Sequence, residues 1–365
     1  MTVPVDELVA DVEALVSCES PSADLDALDR CARAVGAVAR RRIGAAGERV
    51  VVDGRPHLRW TFGDPRVVLL AHYDTVWPLG TLARWPFAVD GDRMTGPGVF
   101  DMKAGIVQAF AALSALDDLD GVAVLATCDE EVGSTTSQQL IEETCRGARA
   151  ALVLEASDDG ALKVARKGVG MFRLDITGRA AHAGLEPHRG VNATVEAAHQ
   201  VLAAAALARP ELGTTVTPTV VSAGTTVNTV PAHASVAVDV RAETAAELTR
   251  VEDALASLSP QLPGAALKVA PQSVRLPLER EMSADLFARA QRHGAALGLG
   301  ELTGVCVGGG SDGNLTAAIG VPTLDGLGAV GGNAHAEGEW ASVAALPQRT
   351  ALLAALVREL LEEKR

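Results

Sequence analysis

Seven histidine and acidic residues stand in short motifs whose residue types can bind a divalent cation or transfer a proton. They are His72 and Asp74 in LLAHYDTV, Asp101 in GPGVFDMKAG, Glu130 and Glu131 in ATCDEEVGS, Glu155 in LVLEAS, and His335 in GGNAHAEGEW. Nitrogen and carboxylate ligands without cysteine suit zinc, cobalt or manganese. Two histidines with several carboxylates exceed what one catalytic zinc needs. The set is therefore large enough for two ions that share one carboxylate.

Three of these motifs directly follow short apolar segments that predict buried strands, at 67–71, 122–127 and 151–154. A helical pattern over 103–116 separates the first two segments, and this alternation predicts an α/β fold with a mostly parallel sheet. Sites in such sheets form beyond the carboxyl ends of the strands. We therefore expect the residues that follow these strands to meet at one edge of the sheet.

His72 and Asp74 are two residues apart, so on an extended chain their side chains point to the same face. A carboxylate next to a metal-binding histidine commonly orients the imidazole ring. A single HxD motif is nevertheless common, and an adjacent Glu-Glu pair is usually a solvated turn. The argument for a metal centre rests on three successive strands that all end in such residues.

A different order of elements begins near Lys167. Predicted strands at 169–177, 215–223, 235–241 and 265–269 alternate with predicted helices at 191–207 and 244–258. Their order, β-α-β-β-α-β, is the ferredoxin-like arrangement. The α/β pattern returns after Pro277. We predict a mixed, mostly parallel α/β catalytic domain of residues 1–166 and 278–365, with an inserted ferredoxin-like α+β domain of residues 167–277.

The composition excludes several classes of protein. Of the 365 residues 48% are hydrophobic, and 32 Lys+Arg stand against 46 Asp+Glu, a formal net charge of −14. Phosphate binding needs clustered cations, so we expect no nucleic-acid partner. No apolar stretch approaches the roughly 18 residues of a membrane helix, so we expect no membrane partner.

The cysteines and the N-terminal segment indicate a cytoplasmic protein. The five cysteines are Cys18, Cys31, Cys128, Cys145 and Cys306. They are scattered and odd in number, and they form neither a disulfide pattern nor a CxxC zinc site. The first residues, MTVPVDELVADVEALV, carry acidic residues early, which is typical of an amphipathic helix rather than of a signal peptide.

The motifs as a set resemble the M20 family of metallopeptidases. They are, in order, HYDTV, GPGVFDMKAG, CDEEVGS, LEAS, GRAAHAG, VNTVPA followed by VDVR, and GGGSDGN. The stretch HYDTVWPLGTLARWPF is especially similar to the glutamate carboxypeptidase branch, which includes the folate-cleaving enzymes. The resemblance extends from about residue 5 to residue 360 and implies a catalytic domain with an inserted lid and dimerisation domain.

The resemblance implies two zinc ions per chain, with cobalt or manganese as substitutes. The implied ligands are His72 and Glu155 at one ion, Glu131 and His335 at the other, and Asp101 at both. Asp74 would orient His72, and the peptide between Asp101 and Met102 would be cis. Two cations would acidify a water and polarise the scissile carbonyl, while Glu130 as general base would pass the proton of the water to the leaving amine.

Further residues are implied in the inserted domain. His182, in GRAAHAG, would stabilise the oxyanion in the active site of the other subunit of a homodimer. By itself, the same histidine is typical of an exposed turn. Arg241 and Asn228 match positions that bind the terminal carboxylate of the substrate, for which arginine offers a bidentate fork.

Two other candidate substrate contacts are less regular. Arg275, in VRLPLE, resembles the arginine of an RPP-like motif, but Leu276 stands where that motif has proline, and a surface arginine in a linker is the alternative. Gly309 and Gly310 are similar to the Gly-rich loop of the family, which lets backbone amides approach the substrate.

Together, these features predict a di-metal hydrolase that resembles glutamate carboxypeptidases. It would cleave a peptide or N-acyl amide bond next to a free carboxylate, in a dipeptide or N-acyl amino acid. Within the same family the alternatives are an aminoacylase, a deacetylase or a desuccinylase. Outside it, the alternative is a non-catalytic protein that binds a carboxylate ligand.

Overall fold

The computed structural model describes residues 3–363, and contacts within the chain divide these residues into two units. Unit 1 contains the chain up to Ala165, Arg280–Val307 and the chain from Ser311 onward. Unit 2 contains Arg166–Glu279 and Gly308–Gly310. Residues 1–2 and 364–365, which the predicted catalytic domain includes, lie outside the described residues. The roles of the two units as catalytic domain and lid stay a prediction.

Helices and strands alternate in the part of unit 1 that precedes unit 2. The helices are α1 (Val5–Val16), α2 (Leu25–Ile43), α3 (Thr81–Arg84), α4 (Ala104–Leu113) and α5 (Gln138–Cys145). The strands are β1 (Glu48–Val52), β2 (Arg55–Phe62), β3 (Val67–His72), β4 (Ala88–Asp90), β5 (Arg93–Thr95), β6 (Val122–Thr127), β7 (Ala150–Val153) and β8 (Leu162–Arg166). A π-helical turn covers Val99–Lys103, and a 3₁₀ turn covers Glu130–Val132.

Unit 2 is built on a four-stranded antiparallel sheet. Its elements are β9 (Gly168–Thr177), β10 (Ala181–His182), α6 (Ala193–Ala205), β11 (Thr215–Ala223), β12 (Thr229–Val230), β13 (His233–Ala242), α7 (Ala245–Ala256) and β14 (Ala266–Arg275). The sheet order is β11-β13-β9-β14. Its four strands and two helices follow one another as β-α-β-β-α-β, with the two short strands β10 and β12 paired to each other.

The chain after unit 2 returns to unit 1. Its elements are α8 (Arg280–Ala296), β15 (Gly304–Val307), α9 (Asp312–Ala318), β16 (Thr323–Leu324), β17 (Gly331–Gly332), β18 (Trp340–Ser342) and α10 (Ala345–Glu362). β16 extends the central sheet, and β17 and β18 join β5 and β4 in a second small sheet.

The central sheet of unit 1 has the strand order β1-β2-β6-β3-β7-β16. Its parallel pairs are β3 with β6, β3 with β7, and β7 with β16, while β1 and β2 form an antiparallel edge. Every residue of β3, β6 and β7 is buried, because helices cover both faces of the sheet. The mixed, mostly parallel sheet is thus as predicted. The edge hairpin was not predicted.

Helix α4 packs directly against the end of β7 because it carries a glycine there. A Cβ at Gly105 would lie only 2.3 Å from the carbonyl oxygen of Leu154. Glycine is the residue that permits such a close approach of two backbones. The contact fixes the strand end from which Glu155 projects. No helix within residues 3–363 is long and apolar enough to cross a membrane.

Candidate metal centre

His72 and the acidic residues that follow the neighbouring strands meet at the carboxyl edge of the central sheet. His72 is the last residue of β3 and pairs with Thr127 at the end of β6. The 3₁₀ turn that contains Glu130 and Glu131 follows β6, and Glu155 stands two residues after β7. Nε2 of His72 lies 3.3 Å from Oε1 of Glu155. The expectation drawn from the strand order therefore holds for these residues.

Two groups of three side chains have the spacing of metal ligands. The first is His72, Glu130 and Glu155, and the second is Asp101, Glu131 and His335. In each group, the nitrogen and carboxylate oxygen atoms lie within 4.8 Å of one another. Nε2 of His335 is 3.2 Å from Oε2 of Glu131.

Asp101, a member of the second group, also contacts the first group. Its Oδ1 is 3.2 Å from Nε2 of His72, and its Oδ2 is 3.2 Å from Nε2 of His335. Each carboxylate oxygen thus faces a different histidine. The peptide bond between Asp101 and Met102 is cis.

Asp74 contacts the residues of both groups by hydrogen bonds and helps to fix their positions. It is fully buried, and it accepts hydrogen bonds from the backbone N–H groups of Glu130 and Glu131 at 3.3 and 3.2 Å and from Oγ of Ser22 at 2.7 Å. Nδ1 of His72 donates to the backbone oxygen of Asp74 at 3.1 Å and lies 3.4 Å from its Oδ1. These contacts place the proton of the neutral ring on Nδ1, so that the lone pair of Nε2 points at the carboxylates.

The geometry around Nε2 of His72 fits a cation. A nitrogen lone pair that faces carboxylate oxygens of Asp101 and Glu155 at hydrogen-bond distance is repelled unless a proton or a metal ion lies between them. Oε1 of Glu131 is also buried, with no hydrogen-bond partner among the described residues. A buried acceptor without a donor is costly unless it coordinates a cation. The donor set of imidazole and carboxylate groups fits zinc, cobalt or manganese.

The electrostatics of the protein alone show the same demand for positive charge. Although burial opposes it, hydrogen bonds to Asp101, Asp74 and Glu155 raise the pKa of His72 well above its usual value. Hydrogen bonds to Asp101 and Glu131 raise the pKa of His335 to about 10. The carboxylates therefore favour protonation of the two imidazole rings, whose nitrogen atoms could otherwise bind a metal ion.

Glu130 differs from its neighbours. Burial is the main cause that raises its pKa well above the usual range of a glutamate, and the nearby charges of Glu155 and Asp312 add to the effect. Asp312 was not predicted as a site residue; it accepts hydrogen bonds from Oγ of Ser134 and, at 3.1 Å, from Oγ1 of Thr127. Asp312 therefore binds residues on both sides of the turn that carries Glu130 and helps to fix that turn.

Lys163, which was not predicted as a site residue, also lies at this centre. Nζ of Lys163 lies 3.8 Å from Oε2 of Glu155. Lys163 is on β8 and pairs with Asp325 in an isolated β-bridge, a contact that no sequence motif reveals. The GGGSDGN motif, by contrast, was a usable signal for Asp312.

Comparison with known proteins agrees with this centre. The model of the family described as peptidase family M20/M25/M40 matches residues 68–359. The chain belongs to the M20 peptidase family. Carboxypeptidase G2 of Pseudomonas sp. (strain RS-16) is 32% identical over 313 residues, which cover 82% of this chain and 74% of that protein. The predictions of a hydrolase and of a metallopeptidase are confirmed.

Solved structures show the same fold. Aminopeptidase PepT of Bacillus cereus ATCC 10987 has a TM-score of 0.76 at 20% identity, covering 99% of this chain and 100% of that chain. An M20 family metallo-carboxypeptidase of Sulfolobus solfataricus has a TM-score of 0.74 at 15% identity, covering 97% and 99%. The predicted fold class is confirmed. Because the family is one of peptidases, membership also favours an enzyme over the binding-protein alternative.

Unit 2 of this M20 peptidase brings His182 and Asn228 together. His182 pairs with Thr229 across β10 and β12, and the N–H of Ala183 donates to the backbone oxygen of Asn228 at 2.9 Å. Nδ1 of His182 accepts from the N–H groups of Gly184 and Leu185, both at 3.2 Å. Nδ1 is therefore an acceptor, so the proton of the neutral, exposed ring is on Nε2, where it can be donated to an oxyanion.

Arg241 and Arg275 lie at the other end of the same sheet. Both are paired with Val169, from the two sides of β9, so their side chains share a face of the sheet. His233, at the end where His182 and Asn228 lie, is eight residues from Arg241 along β13, or about 26 Å at about 3.3 Å per residue. One copy of unit 2 does not bring its two groups of candidate residues together.

The groups predicted to contact a substrate carboxylate have partners within unit 2. Nε and Nη2 of Arg241 donate to the two carboxylate oxygens of Asp239, each at 2.9 Å. The carbonyl oxygens of Gly309 and Gly310 accept from Nη1 of Arg166 at 3.2 and 3.4 Å. These contacts orient the arginine and the Gly-rich loop, and the substrate-binding roles stay predictions.

Proposed function

We propose that this chain is a di-metal hydrolase that cleaves a peptide or N-acyl amide bond next to a free carboxylate, in the manner of a glutamate carboxypeptidase. The observation that carries the proposal is the position of Asp101. Its two oxygens lie 3.2 Å from the Nε2 atoms of two different histidines, each of which has a second carboxylate beside it. A ligand shared by two ions must face both ligand sets, and Asp101 does so.

Five side chains would hold the ions. They are His72 and Glu155 at the first ion, Glu131 and His335 at the second, and Asp101 at both. When bound, two divalent cations supply Lewis acidity that lowers the pKa of water and polarises a carbonyl group. Zinc is the proposed metal, and cobalt and manganese suit the same donors.

Glu130 is the proposed general base. Its carboxylate accepts the proton of the attacking water as the new C–O bond forms, and it returns this proton to the leaving nitrogen as the C–N bond breaks. The burial that raises its pKa brings the group closer to the range in which a carboxylate can both take and give a proton. Asp74, which binds the N–H groups of the turn, holds Glu130 in place.

A homodimer formed through unit 2 is part of the proposal. His182, whose Nε2–H is available as a donor, would stabilise the oxyanion of the tetrahedral intermediate in the site of the partner subunit. The separation of about 26 Å between the two ends of one sheet supports this arrangement, because two copies can supply opposite ends to one site.

Recognition of the substrate carboxylate is assigned to arginine and amide groups. Arg241 and Asn228 would bind it, with Arg275 and the backbone of Gly309 and Gly310 as further contacts. Arginine supports this role because its planar fork matches a carboxylate. A small dipeptide or N-acyl amino acid, with C-terminal glutamate as the first choice, is the proposed substrate. The scattered cysteines, which are odd in number, support a cytoplasmic location.

A substrate panel tests the proposal. Protein purified without added metal, its chelated form and its zinc-reconstituted form would be given N-acyl amino acids and dipeptides that end in glutamate, aspartate, alanine, arginine or an aromatic residue. Products would be identified by mass spectrometry. Chelator-sensitive release of C-terminal glutamate is expected. Release confined to acetyl, succinyl or other acyl groups would favour the aminoacylase, deacetylase or desuccinylase alternatives. No hydrolysis by a form loaded with two ions would contradict the proposed function.

A further inference from the structure

We infer that Glu339 is a positioning residue that fixes Asp101, and with it the spacing of both metal ions; the inference rests on the proposed di-metal function. Glu339 is fully buried in unit 1, four residues after His335. It belongs to neither of the two candidate metal-ligand groups. Its carboxylate instead binds the backbone of the loop that carries Asp101.

Four N–H groups converge on the two oxygens of Glu339. Oε1 accepts from the backbone N–H groups of Phe100 at 2.8 Å and Asp101 at 2.9 Å. Oε2 accepts from the backbone N–H of Gly98 at 3.0 Å and from Nε1 of Trp77 at 2.9 Å. All four donors are uncharged, so the carboxyl group is held by directed hydrogen bonds rather than by an opposite charge.

These hydrogen bonds decide the conformation of the loop. Gly98 has a φ of 76°, and three N–H groups within four residues point to the same side. Successive N–H groups that point inward form a concave anion site, and they repel one another when no anion fills it. A neutral side chain at position 339 would remove the reason for the loop to keep this shape.

The same carboxylate joins three segments of the metal centre. Trp77 follows Asp74 by three residues, Asp101 ends the bound loop, and His335 belongs to the segment that leads to Glu339. His335 and Asn333 both have φ values of 62°, an unusual conformation for residues other than glycine. A segment with such strain has to be fixed by its surroundings, and Glu339 anchors its end.

A shift of Asp101 would affect both ions together, because each of its oxygens faces a different histidine. The inference therefore predicts a parallel loss of both ions when Glu339 is changed. A purely structural role predicts something else: lower stability of the fold with metal binding unchanged.

The test uses Glu339→Gln, which keeps the shape of the side chain but turns one acceptor oxygen into an amide donor. Asp11→Asn is the matched control, since Asp11 is another buried carboxylate of unit 1 whose partners, Arg41 and Arg42, belong to α2. Zinc content, titration of the metal-free proteins with Co²⁺ and the visible spectrum of bound Co²⁺ would be measured. Thermal unfolding of the metal-free proteins would show the structural effect separately.

We expect Glu339→Gln to lower the affinity of the protein for both ions about 10- to 100-fold and to change the visible spectrum of bound Co²⁺. Asp11→Asn should lower the unfolding temperature without either change. Trp77→Phe removes one of the four donors and serves as a second variant, with a smaller effect in the same direction. The inference would be overturned if Glu339→Gln and Trp77→Phe both kept the metal affinity and the Co²⁺ spectrum of the wild type. If the wild type itself binds fewer than two ions, the proposed function fails instead.

Discussion

In unit 1, side chains from distant segments of the chain meet within hydrogen-bond distance, whereas in unit 2 the candidate residues stay in two separate groups. The first arrangement follows from parallel strands, whose carboxyl ends share one edge of the sheet. The second follows from an antiparallel sheet, in which Arg241 and His182 lie towards opposite ends.

This difference suggests how metal binding and substrate recognition are divided between the two units. The two candidate metal-ligand groups are assembled within one chain, and the buried Asp74 binds the turn that carries Glu130 and Glu131. The candidate recognition groups of unit 2 are more exposed, and they lie towards the two ends of one sheet. We therefore expect the chemistry to depend on unit 1 of a single chain, and the proposed homodimer predicts that oxyanion binding and recognition depend on two copies.

The largest effect is expected in unit 1. Glu130→Gln should lower kcat by about 10²–10⁴-fold, because an amide cannot accept the proton of the attacking water. Metal content should stay at the wild-type level, since Glu130 is not a proposed ligand. Steady-state kinetics on metal-verified protein check this, with Glu143→Gln on the exposed side of α5 as the control. Near-wild-type turnover would remove Glu130 from the mechanism.

The next effect tests unit 2. His182→Ala should lower kcat by about 10²–10³-fold, the usual result of removing one oxyanion donor. Both the metal content and the control His188→Ala, an exposed histidine of the same unit, should be unaffected.

Co-expression of the Glu130→Gln and His182→Ala chains sharpens the comparison between the units. If His182 serves the partner, half of the randomly formed dimers are hybrids with one intact site, and about a quarter of wild-type turnover returns. A histidine that acts within its own chain restores nothing in the mixture.

A smaller effect is expected at the opposite end of the unit 2 sheet. Arg241→Ala should lower kcat/KM by about 10- to 100-fold, mostly through KM, because a hydrogen-bonded charge pair with the substrate is lost. The loss should shrink when the terminal carboxylate of the substrate is methylated. Arg241→Lys keeps the charge without the fork and should restore only part of the activity. An equal loss with both substrates would argue against carboxylate recognition.

The smallest effect concerns the stability of unit 2 alone. Arg250, Thr214 and Arg209 surround Glu247, and the hydrogen bond from Arg250 is the main cause that lowers the pKa of Glu247 to about 2. The ionised form therefore stabilises the fold above pH 4.5, and this contribution is lost as pH falls from 4.5 to about 2.

Glu247→Gln should accordingly lower the free energy of unfolding at neutral pH by about 1–3 kcal/mol. The difference from wild type should vanish in acid, as followed by denaturant unfolding at several pH values. Asp253→Asn, an exposed change on the same helix, is the control. A difference that persists at low pH would mean that the effect is not the charge of Glu247.

Some of the candidate ligands could be predicted because two local signals coincide there, whereas Asp101 and His335 follow no apolar strand segment and depended on the family resemblance. An apolar segment predicts a strand, and a ligand-type residue follows it, as at His72 and Glu155. The hairpin of β1 and β2 was missed although Asp53-Gly54, with φ values of 49° and 81°, is a typical hairpin turn. Its strands are less uniformly apolar than the central ones, because Glu48 and Arg49 precede three valines in β1, and charged residues interrupt β2.

Other features depend on the register of distant segments, which no local pattern contains. Glu339 stands in the same motif as His335, but nothing in that motif shows that its partners are Gly98, Phe100 and Asp101. Likewise, Arg241 and Asn228 were predicted to bind one carboxylate. Their placement towards opposite ends of one sheet became visible only from the pairing of β9, β10, β12 and β13.

Anomalous X-ray diffraction from crystals of zinc-loaded enzyme, recorded on both sides of the zinc absorption edge, tests the central claim most directly. Two peaks roughly 3.5–4 Å apart are predicted, one beside His72 and Glu155 and one beside His335 and Glu131, with Asp101 touching both. A single peak in fully loaded enzyme, or two peaks that do not share Asp101, would contradict the account.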